Sequence, residues 1–202
     1  MPEGDTSCTR RRKSLVRGSL GSVRAVILVV AATQRELDGA AGAKTLACGI
    51  GPVEAAAATA RALAERRPDA LLHVGIAGAR GLSGTSVVIG SEAVYEDPVG
   101  PLVPARVEPD AELVAAARRA LPDARVLPIG TSAHVGGARA CEVEAMEGFA
   151  VLRAAVLANV PAVEVRVVSN DVDEADRSRW EFEGALTRLA EIIPRLLGEL
   201  AR

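Results

Sequence analysis

Short apolar runs of strand length alternate with alanine-rich helical segments along most of this chain. The runs include VRAVILVV, KTLACGIG, ALLHVGIAGA, ARVLPIG and AVEVRVVSN, and the helical patterns between them include PVEAAAATARALAERR and DAELVAAARRAL. Near-continuous Val/Ile/Leu runs are typical of strands that are covered on both faces, and helices between them indicate parallel crossovers. The alternation therefore predicts an α/β fold of three layers, α/β/α, around a central mixed, largely parallel twisted sheet.

The length and composition of the chain limit its domain organisation. With 202 residues, 49% of them hydrophobic, it can bury one substantial core. No internal repeat or linker divides it, so we expect a single domain over residues 23–202 behind a basic tail over residues 1–22. The segment EDPVGPLVPARVEPD contains four prolines and is expected to form a loop or an edge excursion.

The amino-terminal region can be interpreted in two ways. TRRRKSLVRGSLGSVR followed by AVILVVAA has the basic flank and short apolar stretch of a secretory signal. Alternatively, Val23 to Val30 form the first buried strand behind the basic tail. We favour the strand, because a turn and a helical pattern follow at once and the same arrangement recurs downstream. No apolar run approaches the ~20 residues that span a bilayer.

Charge, aromatic content and cysteine spacing narrow the class of partner. A net charge of −2 and an aromatic content of 2% do not favour binding to nucleic acid or to an acidic membrane surface. Cys8, Cys48 and Cys141 show neither zinc-site nor disulfide-framework spacing, which favours free thiols in a reducing cytosol. We therefore expect a cytoplasmic protein whose partner is a small molecule.

Four strand-end segments carry polar residues that could bind such a molecule: AATQRE, CGIGPVEA, HVGIAGA and VVSND. In open α/β sheets, ligands bind where the carboxyl ends of strands meet loops and helix starts. A fifth segment, EVEAMEGFAVLRAAVLANV (142–160), reads as a nearly all-apolar helix with Glu147 in its first turn. Burying that carboxylate costs several kcal/mol unless it is paired, so Glu147 either binds a ligand or caps its own helix.

The glycines of GIGPVEA have two interpretations. A Gly-x-Gly after a strand and before a helix can begin a dinucleotide-binding fingerprint, but Glu54 occupies the position of the third glycine. A negative charge there would repel a pyrophosphate. Gly49 and Gly51 can equally form a tight strand-to-helix turn.

Taken in order, six motifs resemble those of the nucleoside phosphorylase and nucleosidase superfamily, and they span about residues 25–197. The motifs are AATQREL, CGIGPVEAAAATA, HVGIAGA, VVIGSEAVYED, VEAMEGFAV and VRVVSND. The resemblance extends to the methylthioadenosine/S-adenosylhomocysteine nucleosidases and is greatest for the futalosine hydrolases. It implies a nucleoside phosphorylase-like fold, a homo-oligomer, and a reaction that needs no metal and no organic cofactor.

The resemblance also implies roles for individual residues. Glu36 matches the glutamate that binds the attacking water, and Asn170 the second catalytic position, at the purine. Glu147 matches the carboxylate that binds the ribose hydroxyls. The remaining residues with an implied role in substrate binding are Met146, Ser169, Ile76, Ala77, Gly78 and Phe149.

Each main role has a purely structural alternative. Glu36 could be an exposed helix residue and Met146 a core residue. Asn170 could simply hold the turn in SND. His134 is a loop histidine, and His73 is expected to be a hydrogen-bonded residue of a strand end rather than a catalyst.

Departures from the superfamily pattern indicate the subclass. Phosphorylases usually present a phosphate-binding arginine near the end of the third strand, but this stretch has none before Arg80, which favours water as the nucleophile. Asn170 stands where adenine-specific nucleosidases carry aspartate, and its amide suits a 6-oxopurine. These features favour hydrolysis of a 6-oxopurine nucleoside. The resemblance to futalosine hydrolases implies that this nucleoside is futalosine, which would be hydrolysed to hypoxanthine and dehypoxanthine futalosine in menaquinone biosynthesis.

Other functions stay open on the sequence alone. A purine nucleoside phosphorylase or a methylthioadenosine/S-adenosylhomocysteine nucleosidase would share the fold and most motifs. The segments 97–108 and 137–142 are shorter than in relatives, which suggests a reduced substrate cover. A nucleoside-binding member without catalytic activity is therefore a further alternative.

Overall fold

The structure, a computed structural model, describes residues 25–97 and 100–202. Its strands are β1 (Ile27–Ala31), β2 (Lys44–Ala47), β3 (Ala70–Ala79), β4 (Val87–Tyr95), β5 (Arg106–Val107), β6 (Arg125–Thr131), β7 (Val143–Ala145) and β8 (Ala162–Asp171). Its α-helices are α1 (Pro52–Glu65), α2 (Ala111–Ala120), α3 (Gly148–Leu157) and α4 (Phe182–Leu200), and short 3-10 helices cover Gln34–Leu37 and Arg177–Arg179.

All eight strands belong to one mixed sheet. The hydrogen-bonded order is β2-β1-β3-β7-β6-β4-β5, and β8 pairs with both β3 and β4. The pairs β1–β2, β1–β3, β3–β8, β4–β6 and β6–β7 are parallel, whereas β3–β7, β4–β5 and β4–β8 are antiparallel. The predicted α/β fold with a mixed, largely parallel sheet is thus confirmed.

Five of these strands form a closed ring of paired strands, which the sequence pattern did not predict. β3 pairs with β8, β8 with β4, β4 with β6, β6 with β7, and β7 returns to the end of β3. A compact group of buried side chains belongs to these strands: Ala77, Ala79, Val88, Ile129, Val143, Ala145 and Val168. Closure brings the end of β7 next to the ends of β3 and β8.

Helices cover both sides of the sheet. One apolar cluster joins α2 and α4 to the strands, and it includes Ala117, Leu189 and Ile192. A second cluster joins α1 and α3 to the opposite side through residues such as Leu63 and Val151. The strands buried between these layers match the near-continuous apolar runs of the sequence.

Only part of the predicted amino-terminal region lies among the residues that the structure describes. The basic tail, residues 1–22, lies outside the described residues, as do the first two residues of the predicted strand Val23–Val30. The described part of that strand begins at Ile27. The proline-rich segment contributes β5, which pairs with β4 at the edge of the sheet, as an edge excursion would.

The prediction of one helix over residues 142–160 was wrong. Val143–Ala145 form β7, and α3 begins only at Gly148. The physical reason is the closure of the sheet, because β7 completes the ladders of both β3 and β6. Met146 and Glu147 consequently lie at a strand-to-helix junction, with Glu147 at the N-cap position of α3.

Among the described residues, none of the helices combines the length and the apolar character that crossing a bilayer requires.

Candidate active site

A cavity of about 450 Å³ opens at the carboxyl ends of β1, β3 and β8. This volume falls within the range of about 300–1,000 Å³ that is common for small-molecule sites. The lining is mostly apolar, and its polar groups include Glu36, Glu147, Ser169 and Asn170. The cavity therefore presents a few polar groups within a largely apolar lining, which suits a small ligand with a defined polar edge.

Glu36 is a buried carboxylate that is fixed by its own 3-10 helix. Thr33 caps this helix, and its backbone N–H and hydroxyl both donate to Glu36 Oε2 at 2.8 Å. The backbone N–H of Ile76 donates to Glu36 Oε1 at 3.1 Å. A carboxylate has about four acceptor sites. Three donors therefore hold Glu36 as an acceptor and leave about one site for a bound water.

Glu147 is equally buried and accepts from a different part of the chain. The backbone N–H of Gly51 donates to Glu147 Oε1 at 3.0 Å, and Nη2 of Arg166 lies 3.6 Å from Oε2. Gly51 has φ of 93°, in the left-handed region that glycine tolerates best. The GIG turn is therefore the tight strand-to-helix turn that was one of the two predicted alternatives, and its N–H serves Glu147.

Arg166 is a buried charged residue beside the site that the sequence analysis missed. It belongs to β8, is 1% exposed, and its guanidinium lies beside Glu147. A Cβ atom at Gly75 would lie 2.2 Å from Arg166 Nη1 and 2.9 Å from Glu36 Oε1. The space above Gly75 thus holds groups from Arg166 and Glu36 together. A charged residue inside the apolar run AVEVRVV was the signal that could have revealed it.

Ser169 and Asn170 leave the sheet through a bulge. The β3–β8 register pairs Ala77 with Val168 but Gly78 with Asn170, so Ser169 is the extra residue. Its hydroxyl lies 2.8 Å from Asn170 Oδ1 and 3.2 Å from the carbonyl oxygen of Ala77. Bulges often redirect side chains at functional sites. Here the bulge presents both residues to the cavity.

The structure brings eight of the nine predicted site residues to this cavity: Glu36, Asn170, Met146, Glu147, Ser169, Ile76, Ala77 and Gly78. Phe149 is not among the lining residues. It stacks on Tyr95 with ring centroids 5.2 Å apart, and its backbone N–H donates to the hydroxyl of Thr131 at 2.8 Å. The Phe149 ring is therefore engaged by Tyr95, outside the residues that line the cavity.

Carboxylates organise the loop over residues 132–142 beside the cavity. Glu96 accepts the backbone N–H groups of residues 139, 140 and 141, and Asp97 accepts from Ser132 and Ala133. Glu144, which lines the cavity, accepts the N–H groups of residues 136 and 138. Most of the segment 137–142, which the sequence analysis expects to be shortened, is therefore held by hydrogen bonds to Glu96 and Glu144.

The cavity mouth carries aromatic and charged side chains. Trp180 and Phe182 line it, as do Arg35 and Glu183, which form an exposed ion pair at 2.8 Å. Arg80, Arg106 and Arg139 are not among the residues that line the cavity.

The two cysteines that the structure describes are free thiols. Both are buried, and burial raises the pKa of Cys48 to about 11 and that of Cys141 to about 12. Protonated thiols are poor nucleophiles at neutral pH. Cysteine chemistry therefore has no evident part in this site.

Comparison with known proteins gives the family. The family model described as the phosphorylase superfamily matches residues 2–202. The chain is 32% identical to a futalosine hydrolase of Acidothermus cellulolyticus in an alignment that covers 74% of this chain and 72% of that protein. It is 35% identical to a futalosine hydrolase of Streptomyces coelicolor in an alignment that covers 75% of this chain and 77% of that protein.

Solved structures share the fold at low identity. A methylthioadenosine/S-adenosylhomocysteine nucleosidase from Colwellia psychrerythraea in complex with adenine superposes with a TM-score of 0.78 at 23% identity, covering 88% of this chain and 96% of that one. A futalosine hydrolase mutant of Helicobacter pylori gives a TM-score of 0.78 at 15% identity, covering 86% and 98%. The family model, the two sequence relatives and the shared fold agree, and the chain belongs to the phosphorylase superfamily.

Proposed function

We propose that this protein is an N-glycosyl hydrolase that cleaves futalosine to hypoxanthine and dehypoxanthine futalosine. The observation that carries the proposal is the single cavity lined by both Glu36 and Glu147, with Arg166 buried behind it. The identity to two futalosine hydrolases supports this choice of substrate.

The two carboxylates have complementary parts in the proposed reaction. Cleavage of an N-glycosidic bond passes through a sugar with oxocarbenium character, which needs a nearby anion and an activated water. Glu147 has two protein partners, Gly51 and Arg166, so acceptor sites remain for the ribose hydroxyls. Glu36, with one acceptor site left, takes a proton from the attacking water as general base.

The leaving base is bound at the bulge of β8. One N–H of the Asn170 amide donates to the carbonyl oxygen of Asp171 at 2.9 Å, which leaves the second N–H for the purine N7. An amide does not protonate the base as a carboxylic acid can, so Asn170 acts by hydrogen bonding. This chemistry suits a 6-oxopurine such as hypoxanthine.

The charges around the cavity favour water over phosphate as the nucleophile. Arg166 is engaged by Glu147 and Glu164, and Arg35 is paired with Glu183. A phosphate ion would have to compete with carboxylates for either guanidinium, and it would lie among further negative charges. Water meets neither obstacle.

Release of free base from three nucleosides, with and without phosphate, tests the function. We expect hypoxanthine from futalosine without phosphate, less from inosine, and little adenine from methylthioadenosine, all followed by chromatography. Strict dependence on phosphate would instead indicate a purine nucleoside phosphorylase. Faster cleavage of methylthioadenosine would indicate the adenine-specific class, and binding without any cleavage a non-catalytic member.

Replacing Gly75 with alanine should disturb the carboxylates without removing either of them. The new Cβ would lie 2.2 Å from Arg166 Nη1, so the buried guanidinium has to move. We expect kcat for futalosine to fall at least ~10-fold, since displacing catalytic groups by about 1 Å can cost ~10²-fold. Gly198→Ala is the control, because its Cβ meets nothing within 4 Å. Equal kcat values for Gly75→Ala and Gly198→Ala would show that a Cβ at Gly75 does not displace groups that the reaction needs.

We place the reaction in menaquinone biosynthesis and in the cytoplasm, as the identity to futalosine hydrolases and the spacing of the cysteines in the sequence suggest. We also propose a homo-oligomer. Ile50, at the cavity, is 62% exposed, and Val53 and Leu102 are 77% and 95% exposed. Large apolar side chains in such positions favour contact with a second subunit. Light scattering coupled to size exclusion measures the mass in solution.

A further inference from the structure

We propose that Glu164 and His73 are positioning residues that fix the Arg166 guanidinium beside Glu147 and in the space above Gly75 that it shares with Glu36. This inference deepens the proposed function and rests on it for its kinetic consequences. Neither Glu164 nor His73 is among the residues that line the cavity. Both would therefore act on the reaction only through Arg166.

The contacts of Arg166 surround its guanidinium on all sides. Nε donates to Glu164 Oε1 at 2.8 Å, Nη2 lies 2.5 Å from His73 Nε2, and Nη1 donates to the carbonyl oxygen of Ile76 at 3.4 Å. Nη2 also lies 3.6 Å from Glu147 Oε2. An arginine side chain has many rotamers, but these partners leave it one pose.

His73 has a defined tautomer because of this arrangement. A guanidinium can only donate hydrogen bonds, so Nε2 of His73 must be the acceptor and Nδ1 must carry the proton. Nδ1–H donates a hydrogen bond to the carbonyl oxygen of Val30, at an Nδ1–O distance of 3.0 Å. Burial and the nearby charge of Arg166 hold the pKa of His73 well below its usual range. A neutral histidine at this position is therefore a fixed acceptor for Arg166.

Glu164 lies two residues from Arg166 on the same face of β8 and is fully buried. Its Oε2 atom has no hydrogen-bond partner within the described part of the chain. A Cβ at Gly148, the first residue of α3, would lie 2.3 Å from that oxygen, so the missing side chain makes room for the carboxylate. Burial raises the pKa of Glu164, and Arg166 opposes that rise. The ion pair with Arg166 therefore accounts for the burial of this carboxylate, although one of its oxygens has no partner among the described residues.

The mechanism needs such a fixed cation for a geometric reason. Arg166 faces Glu147, and a Cβ at Gly75 would meet both Arg166 Nη1 and Glu36 Oε1. If the guanidinium moved, Glu147 and Glu36 would no longer be held in the positions that bind the sugar and the water. Binding of the nucleoside through its base would be largely unaffected. The expected signature of a lost positioning residue is therefore a lower kcat with a nearly unchanged KM.

Two substitutions at Glu164 test this inference kinetically. We expect Glu164→Leu to lower kcat at least ~10-fold while KM changes less than ~3-fold. Glu164→Gln should recover part of that loss, because an amide oxygen can still accept from Arg166 Nε. Thr59→Val is the control, since this hydroxyl is buried in α1 without a partner. Glu164→Leu with the kcat of the native protein, or Glu164→Gln no better than a folded Glu164→Leu, overturns the proposal.

Nitrogen NMR of the histidines gives a readout that does not depend on activity. The chain has two histidines, His73 and His134, and substitution of the exposed His134 assigns their signals. We expect His73 as the neutral Nδ1–H tautomer, and its Nε2 signal should move downfield in Glu164→Leu as the guanidinium is released. An Nε2–H tautomer in the native protein, or an unmoved signal, contradicts the proposal.

The two readouts separate the possible failures. A native protein that cleaves no nucleoside but shows the expected His73 tautomer and shift refutes the proposed function and retains the positioning of Arg166. An active native protein with unchanged variants refutes only the positioning. If Glu164→Leu does not fold, Glu164→Gln decides. A reduced kcat with KM held and a displaced Nε2 signal support the proposal, and native values of both overturn it.

Discussion

Glutamine in place of Glu36 is expected to lower kcat for futalosine by at least ~10²-fold, which is typical of removing a general base. Glutamine has nearly the same shape but cannot take a proton from the attacking water. Thr33 and Ile76 donate three hydrogen bonds to the carboxylate, and an amide can accept only part of this set. We therefore expect a small loss of stability beside the large loss of rate. Steady-state release of hypoxanthine measures kcat and KM.

Glu191→Gln is the matched control for this substitution. Glu191 lies on α4, where it forms an exposed pair with Arg188 at 3.0 Å. Exposed pairs contribute about 0–1 kcal/mol, so this variant should keep both the activity and the stability of the native protein. A Glu36→Gln enzyme as active as Glu191→Gln would remove Glu36 from the mechanism.

Glu147→Gln is expected to reduce kcat/KM by at least ~10²-fold, because a charge that stabilises the cationic sugar is lost. The structure adds a second consequence. Glu147 and Glu164 both compensate the buried charge of Arg166. Breaking a lone buried ion pair costs about 3–5 kcal/mol. Since Glu164 remains, we expect a smaller loss of roughly 1–3 kcal/mol, comparable to an unsatisfied buried group. Urea unfolding measures it.

The two effects of Glu147→Gln distinguish its possible roles. A residue that only capped α3 would affect stability and leave the kinetics of a folded variant near those of the native protein. Its side chain makes no capping hydrogen bond to α3, which is consistent with a ligand-binding role. Native-like kcat/KM in a folded Glu147→Gln variant would return Glu147 to the purely structural interpretation.

The layers of the fold could be predicted because local patterns determine them. Apolar runs such as those of β1 and β3 are buried between helices on both sides, as their composition indicated. Closure of the sheet depends instead on a pairing between residues that are distant in sequence. Val143–Ala145 are too few to show a strand period, and the apolar helix that follows masked them. Only the ladders with β3 and β6 make this segment a strand.

The site was predictable where ordered motifs marked it. Glu36, Met146 and Glu147 reach one cavity, as the resemblance implied. Arg166 and Glu164 were missed because their partners are distant in sequence or lie within the same apolar run, and their burial is accounted for only by contacts in the folded chain, such as their ion pair at 2.8 Å and the pair of Arg166 with Glu147 at 3.6 Å. The T-x-x-E pattern of Thr33 and Glu36 is a capping-box signature that could have indicated a fixed carboxylate.

Cleavage of futalosine in ¹⁸O-labelled water without phosphate tests most directly whether Glu36 and Glu147 form a hydrolytic site. We expect one equivalent of unlabelled hypoxanthine and a sugar product that carries a single ¹⁸O at its anomeric carbon, measured by mass spectrometry. Absence of base release until phosphate is added, with a sugar phosphate as product, would contradict the assignment of water as the nucleophile.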